Sequence, residues 1–92
     1  SSCFSANWVM KHEKEAIWEA KGNVVARNTH METLNTEFLI WDEKKEKIYS
    51  EHDVQITTKD EIIYGRGFEA DQNFDKWKIT KVSGVINLDD NE

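Results

Sequence analysis

The chain has 92 residues, of which 38% are hydrophobic, and a net charge of −6. This length fits one domain with a thin core, and the acidic balance argues against a nucleic-acid partner, because such a partner needs clustered cations. The single cysteine, Cys3, excludes an internal disulfide, and no apolar run reaches the roughly 18 residues that a membrane-spanning helix needs. We therefore interpret residues 1–92 as one folded domain.

A hairpin-sized pattern recurs along the sequence at an interval of 30 residues. The polar segment 12–15 corresponds to 42–45 after this shift, and a looser third copy begins at Gly67. Further coinciding positions are Ala6 with Thr36, Trp8 with Phe38, Met10 with Ile40, and Val24 with Val54. Because one hairpin buries only one of its faces, the copies are expected to stack into a shared sheet.

The alternation of apolar and polar residues predicts about six antiparallel strands and no helix. The predicted strands are 4–10, 16–26, 31–42, 47–58, 62–70 and 76–86. A helix over 11–21 is the alternative to the second strand, but the alternation and the β-forming residues of the copy at 41–51 favour a strand. The acidic segment 88–92 is expected to be a mobile tail.

Two of the predicted strands show signs of irregularity. Gly22 is expected to mark a bulge or a close approach of the backbone. A change of parity in the last strand indicates either another bulge near Lys81 or a strand that is buried on both faces. In the third strand, Leu39 and Trp41 fall on the face opposite Phe38 and are expected to contact something beyond the core, such as a neighbouring subunit. This arrangement predicts a meandering sheet, a sandwich or an open roll.

The sequence offers no group of residues that would support catalysis. His12, His30 and His52 lack the short spacings of zinc sites, and Cys3 lies near a chain end. No nucleophile elbow, phosphate-binding loop or dinucleotide motif occurs. We therefore predict no catalytic residue, no metal and no cofactor, and we expect a protein that is not an enzyme.

The most informative feature is a set of bulky apolar residues for which no covering helix is predicted. These side chains either fill a closed sandwich core or line an open groove that accepts a lipid chain. The first and last strands would leave free edges for pairing with a partner. The candidate lipid-binding residues are Trp8, Met10, Trp18, Val24, Phe38, Ile40, Ile48, Val54, Ile56, Ile62, Tyr64 and Phe68.

Four segments resemble the LptC family of lipopolysaccharide export proteins and the wider OstA-like group, which includes LptA and the periplasmic part of LptD. The segments are WEAKGNV at 18–24, LNTEFLIWD at 34–42, KIYS at 47–50 and GRGFEADQNF at 65–74. The last of them, followed by VSGV at 82–85, is the most specific, and the resemblance covers residues 6–86.

The resemblance implies a twisted antiparallel β-jelly roll built from repeated hairpins, located in the periplasm and anchored to the inner membrane by an upstream segment. Such a protein binds lipopolysaccharide, receives it from the membrane subunits of an ABC transporter, and passes it to other Lpt-type jelly-roll proteins through edge strands. The chain would then be a C-terminal fragment truncated at its N-terminus, and homodimerisation or strand swapping would cover its open edge.

Two functions follow as expectations. In the first, the apolar residues named above hold the acyl chains of lipopolysaccharide, while the rim cations Lys21, Arg27 and Arg66 are candidates to meet lipid phosphates. In the alternative, the chain is a structural or adhesive β-sandwich module without enzymatic activity that acts through edge-strand pairing.

Overall fold

The computed structural model describes residues 3–88 and consists of seven β-strands, with no helix in that range. The strands are β1 (Cys3–Ser5), β2 (Trp8–His12), β3 (Ile17–Arg27), β4 (Thr33–Asp42), β5 (Lys47–Thr57), β6 (Glu61–Asp71) and β7 (Trp77–Asn87). The all-β prediction is confirmed, and the helix alternative at 11–21 is wrong. Among residues 3–88 there is accordingly no helical segment that could cross a membrane. Residues 89–92 of the predicted tail lie outside the described part.

The strands form one antiparallel sheet in which β3 to β7 follow one another in chain order. The predicted first strand is two strands, because the chain breaks at Ala6 and Asn7 and both β1 and β2 pair with β3. At this break the N–H of Asn7 donates to the carbonyl of Gly22, at 2.9 Å. Within residues 3–88, β7 has no partner strand on its outer edge, so the molecule is an open, jelly-roll-like sheet.

The sheet folds over on itself, so that its opposite ends meet. The β6–β7 turn lies beside the β4–β5 turn, where the N–H of Gln72 donates to the carbonyl of Glu46 at 3.0 Å. The β3–β4 turn lies at the other end of the strands, and a straight strand of the length of β4 would separate the two ends by about 30 Å. Nevertheless, Asn28 Nδ2 in the β3–β4 turn donates to the carbonyl of Phe74 in the β6–β7 turn, at 2.8 Å. The bent sheet therefore encloses its core between two halves.

Register shifts near the middle of the strands accompany this bend. The extra residues lie in 21–24 of β3, in 50–53 of β5 and at Ser83 of β7, each opposite a shorter stretch of the neighbouring strand. The bulge predicted at Gly22 is confirmed, and its φ of +79° is one that glycine adopts without strain. The bulge expected near Lys81 lies two residues further along the chain. Such extra residues increase the local twist and bend the strand that carries them.

The sequence repeat reappears in three turns, at 13–16, 43–46 and 71–74. In each turn the N–H of the last residue donates to the carbonyl of the first, at 3.3, 3.3 and 2.8 Å. The last residues share a left-handed backbone, with φ of +55°, +55° and +58°. A left-handed residue after such a turn is a common way to close a hairpin. The repeated unit is therefore a hairpin together with its closing turn.

The core lies on the inner side of the bend. Its largest fully buried aliphatic side chains are Leu34 and Ile56, both 0% exposed. The residues of this core cluster are Ala20, Val24, Ala26, Leu34, Leu39, Ile48, Val54, Ile56, Phe68, Ala70 and Phe74. Both halves of the sheet contribute to it, so the core depends on the bend rather than on a second sheet.

Candidate functional site

Rows of mostly apolar side chains cross the inner side of the bent sheet, because directly paired residues of neighbouring strands point to the same side. One row is Trp18, Trp41, Ile48, Ala70 and Trp77. A row in the other half is Phe4, Ala26, Leu34, Ile56, Ile63 and Val85. We call this side, which carries the core cluster, the inner side, and the opposite one the outer side.

An apolar groove with a volume of about 510 Å³ lies between the two halves of the sheet. Its apolar strand residues are Phe4, Val9, Trp18, Ala20, Ala26, Leu39, Trp41 and Ile48. Gln72, Asn73 and Phe74 of the β6–β7 turn also line the groove, and Cys3 and Arg27 complete the lining. Because Phe4 and Val9 are exposed, the groove opens at the edge formed by β1 and β2. Its volume lies in the range typical of small-molecule sites.

Two tryptophans shape one end of the groove. The rings of Trp18 and Trp41 are stacked, with centroids 5.9 Å apart and planes inclined by 15°. Trp18 Nε1 donates to the Glu43 carboxylate, and Trp41 Nε1 donates to Gln72 Oε1 at 3.1 Å. Since both indole N–H groups have partners, the rings are held in place while their apolar surfaces line the groove.

The β6–β7 turn is held against the sheet by the buried side chain of Asn28, which is 2% exposed. Its Nδ2 donates to the carbonyl of Phe74 at 2.8 Å and to Glu32 Oε1 at 2.9 Å. Its Oδ1 accepts the backbone N–H groups of His30 and Glu32, at 3.0 and 2.9 Å. All hydrogen-bonding positions of this amide are therefore used.

Two carboxylates support the same contact. Burial raises the pKa of Glu32, but hydrogen bonds from Asn28 and Trp77 and the nearby His30 outweigh it and hold the pKa below its ordinary value. Within the turn, Asp71 Oδ1 accepts the N–H of Lys76 at 2.8 Å and that of Asp75 at 2.9 Å. The bond from Lys76 is the main reason why the pKa of Asp71 is lowered, against the opposing effect of burial.

Of the three rim cations, Arg27 lines the groove, and its Nε donates to Thr33 Oγ1 at 3.1 Å. Lys21 lies on the outer side, with its ammonium 4.8 Å from the ring centroid of Trp8. Arg66 is paired with Asp53, at 3.1 Å. Arg27 is therefore the cation of this set that is positioned at the groove.

The predicted lipid-binding residues do not share one side of the sheet. Those on the inner side are Trp18, Val24, Ile48, Val54, Ile56 and Phe68. Those on the outer side are Trp8, Met10, Phe38, Ile40, Ile62 and Tyr64. Only Trp18 and Ile48 of the whole set line the groove. The prediction of a single common face is thus corrected, while a lipid-binding role for these residues stays a prediction.

The bend explains this correction. β3 and β5 carry an extra residue there, and their inward positions keep the same parity on both sides of it. In β4 the inward positions change from Leu34 and Thr36 to Leu39 and Trp41. In β6 the inward positions change from odd-numbered, at Ile63, to even-numbered, at Phe68. Strict alternation along β4 therefore predicts that Leu39 and Trp41 lie on the outer side, in contact with a neighbouring subunit. In the structure both residues line the groove instead.

The outer side carries a smaller apolar cluster. Trp8 and Met10 are 40% and 45% exposed. Lys21 lies between Trp8 and Phe38 in the cross-strand register. Ile40 is 8% exposed but lies outside the core cluster. These residues cover the back of the sheet and do not contribute to the groove.

Sequence reasoning missed most of the groove lining. The apolar lining residues that it did not include are Phe4, Val9, Ala20, Ala26, Leu39, Trp41 and Phe74. The apolar residues Leu39 and Trp41 on the supposedly polar face were the available signal. Nothing in the local pattern marks Phe74, because its position depends on the contact between the two distant turns.

The polar residues considered for chemistry are dispersed in the structure. His12 Nε2 lies 3.5 Å from Glu19, and His30 Nε2 lies 3.7 Å from Asp75. His52 packs against Phe38, with ring centroids 5.1 Å apart. Residues 3–88 contain no group of three or more His, Cys, Asp or Glu side chains arranged to hold a metal ion.

No protein-family model matches this chain, and it matches neither a curated protein nor a solved structure. The resemblance to the LptC family therefore stays a prediction based on the sequence motifs.

Proposed function

We propose that this domain binds the alkyl chains of an amphiphile in the inner-side groove. The observation that carries the proposal is an open groove of about 510 Å³ whose walls are largely aromatic and aliphatic side chains. A small domain normally covers such surface, and a contiguous exposed apolar patch commonly marks a binding site. An alkyl chain placed there would complete the core of the bent sheet.

The physical driving force is the removal of apolar surface from water. Burial contributes about 0.8 kcal/mol for each methylene group, and association costs several kcal/mol in lost freedom of the ligand. Because the groove is open along the β1–β2 edge, the ligand can leave by the path through which it enters. This balance suits a carrier that holds its cargo reversibly.

The sequence motifs that resemble the LptC family support lipopolysaccharide as the amphiphile. In this proposal the domain works in the periplasm near the inner membrane. It receives lipopolysaccharide from the membrane subunits of an ABC transporter and passes it to another jelly-roll protein. The domain acts by binding alone, and Arg27 at the groove is positioned to meet a phosphate of the lipid headgroup.

Two adjacent residues of β2 provide a matched test. Val9 lines the groove and is 44% exposed, whereas Met10 is 45% exposed and pairs with Glu19 on the outer side. Because both positions are about equally exposed, an Asp at either position should disturb folding to a similar degree. Binding of purified lipopolysaccharide is measured by titration for the wild type, Val9→Asp and Met10→Asp. We expect saturable binding that Val9→Asp removes and Met10→Asp retains; absence of binding in a folded wild type would refute the proposal.

The free edge of β7 favours a second candidate function, which is association through edge strands. This strand has eleven residues, and its exposed apolar side chains include Val82, Val85 and Ile86. A long apolar edge invites pairing with another strand, and inserted charges oppose it. Sedimentation of the wild type should show association that depends on concentration, and Val85→Lys combined with Ile86→Lys should abolish it. A wild type that stays monomeric at every concentration would argue against homodimerisation.

A further inference from the structure

We infer that Phe74 sets the length of the alkyl chain that the groove accepts. This inference rests on the proposed binding of an amphiphile in the groove. It assigns to one side chain of the β6–β7 turn the role of a stop at the inner end of the groove, and it predicts a limit on ligand length that one substitution should move.

The position of Phe74 supports this role. Its side chain lines the groove and also belongs to the core cluster, and it is 4% exposed. Its ring also contacts that of Phe68, with the two rings edge to face and their centroids 5.7 Å apart. Phe68 is 2% exposed and does not line the groove. Phe74 thus separates the open part of the inner side from the filled part.

The core cluster to which Phe74 belongs is filled by other side chains. Val24, Leu34 and Ile56 on the inner side are all 0% exposed. Interiors of this kind are close-packed and leave no room for additional methylene groups. An alkyl chain entering at the β1–β2 edge can therefore extend only as far as the ring of Phe74. Longer chains must leave their additional carbons in water.

Several contacts hold the stop in place. The carbonyl of Phe74 accepts a hydrogen bond from the buried Asn28 amide, and its N–H donates to the carbonyl of Asp71, both at 2.8 Å. Next to it, Gln72 accepts from Trp41 Nε1 at 3.1 Å. The turn is therefore tied to both halves of the sheet. A ligand would need to break several of these contacts to displace the ring.

The experiment uses a series of saturated fatty acids of increasing length, each kept below its critical micelle concentration. Their affinities are measured by displacement of a fluorescent apolar probe from the wild type, Phe74→Ala and Phe74→Leu. Each methylene that enters an apolar site should tighten binding by about fourfold, which corresponds to about 0.8 kcal/mol. Thermal unfolding of each variant is recorded in parallel. Phe74→Leu keeps an apolar side chain in the core and serves as the variant that is more certain to fold.

In the wild type we expect affinity to rise with chain length and then to level off. The plateau should move to longer chains in Phe74→Leu and further in Phe74→Ala, with the affinities of short chains changed little. A plateau at the same length in the wild type and in the folded variants would overturn the inference and leave the proposed function standing. A folded wild type that binds no fatty acid of any length and no lipopolysaccharide would refute the proposed function, and the inference with it.

Discussion

Replacement of Asn28 by alanine should destabilise the domain by roughly 3 kcal/mol, because four hydrogen bonds converge on this one buried amide. A typical intramolecular hydrogen bond contributes about 1 kcal/mol net, which gives about 4 kcal/mol for the set. Because the residue His30 is exposed, water can replace part of the bond to its N–H in the variant and should recover part of this loss. The carbonyl of Phe74 has no such replacement, since it meets Asn28 in a buried contact.

The assay is equilibrium unfolding in urea, followed by tryptophan fluorescence. A domain of this size has a total stability of about 5 to 14 kcal/mol, so the midpoint should fall markedly while the slope stays the same. Asn35→Ala is the control, because Asn35 is half-buried on the outer side, and it should change stability by about 0.5 kcal/mol or less. A loss below about 1 kcal/mol for Asn28→Ala would show that the contact between the two turns does not hold the bend.

Three further substitutions test separate features of the fold. Because hydrogen bonds hold the pKa of Glu32 below its ordinary value, its contribution to stability is complete above about pH 4.3 and is lost as the pH falls through the lower pKa of the folded state. Glu32→Gln should therefore flatten the acid side of the stability profile, and an unchanged profile would contradict this. A Cβ at Gly65 would lie 2.6 Å from the carbonyl oxygen of Lys81, so Gly65→Ala should cost about 2 kcal/mol. A Cβ at Gly84 would meet nothing within 4 Å, so Gly84→Ala should be neutral or stabilise by up to about 1 kcal/mol. Equal melting temperatures for Gly65→Ala and Gly84→Ala would refute this difference between the two glycines. Glu46→Asn should stabilise by about 0.5 kcal/mol in urea unfolding, because Glu46 has a φ of +55° and asparagine tolerates this region better; a loss of stability would argue against a strained turn.

The strands and turns of this protein could be predicted because each depends on local sequence. Alternation placed the predicted strands 31–42 and 47–58 within about two residues of β4 and β5. The polar segments 12–15 and 42–45 marked two of the three equivalent turns. The shift of 30 residues relates the turns 13–16 and 43–46, and their matching hydrogen bonds and φ values agree with the predicted repeat of a hairpin unit.

Alternation alone could not predict on which side of the sheet each residue lies. The bend reverses the relation between odd or even numbering and side of the sheet in β4 and β6 only. Gly22 indicates the bulge of β3 from the sequence. The extra residue of β5 lies at Glu51 or His52, and neither residue type is typical of a bulge. At the bend, β3 and β5, which carry the extra residue, keep the parity of their inward positions, whereas β4, which does not carry one, changes it. For this reason Phe38 and Ile40 were assigned to the groove although they lie on the outer side.

The wall of the groove depends on a tertiary contact that no short pattern encodes. Asn28 and Phe74 are 46 residues apart in sequence and meet only because the sheet folds over. Asn28 looks like an ordinary turn residue, and Phe74 follows a polar stretch. Their partnership becomes recognisable only when the bend is known. Side chains that close a bent sheet are therefore found from the structure.

The central claim, that alkyl chains lie in the inner-side groove, is tested most directly by fluorescence quenching with a lipid whose acyl chain carries bromine. The chain has four tryptophans, and two variants each retain one of them, with the others replaced by phenylalanine. One variant keeps Trp41 in the groove, and the other keeps Trp8 on the outer side. The account predicts saturable quenching of Trp41 and none of Trp8. Quenching of Trp8 without quenching of Trp41 would contradict it.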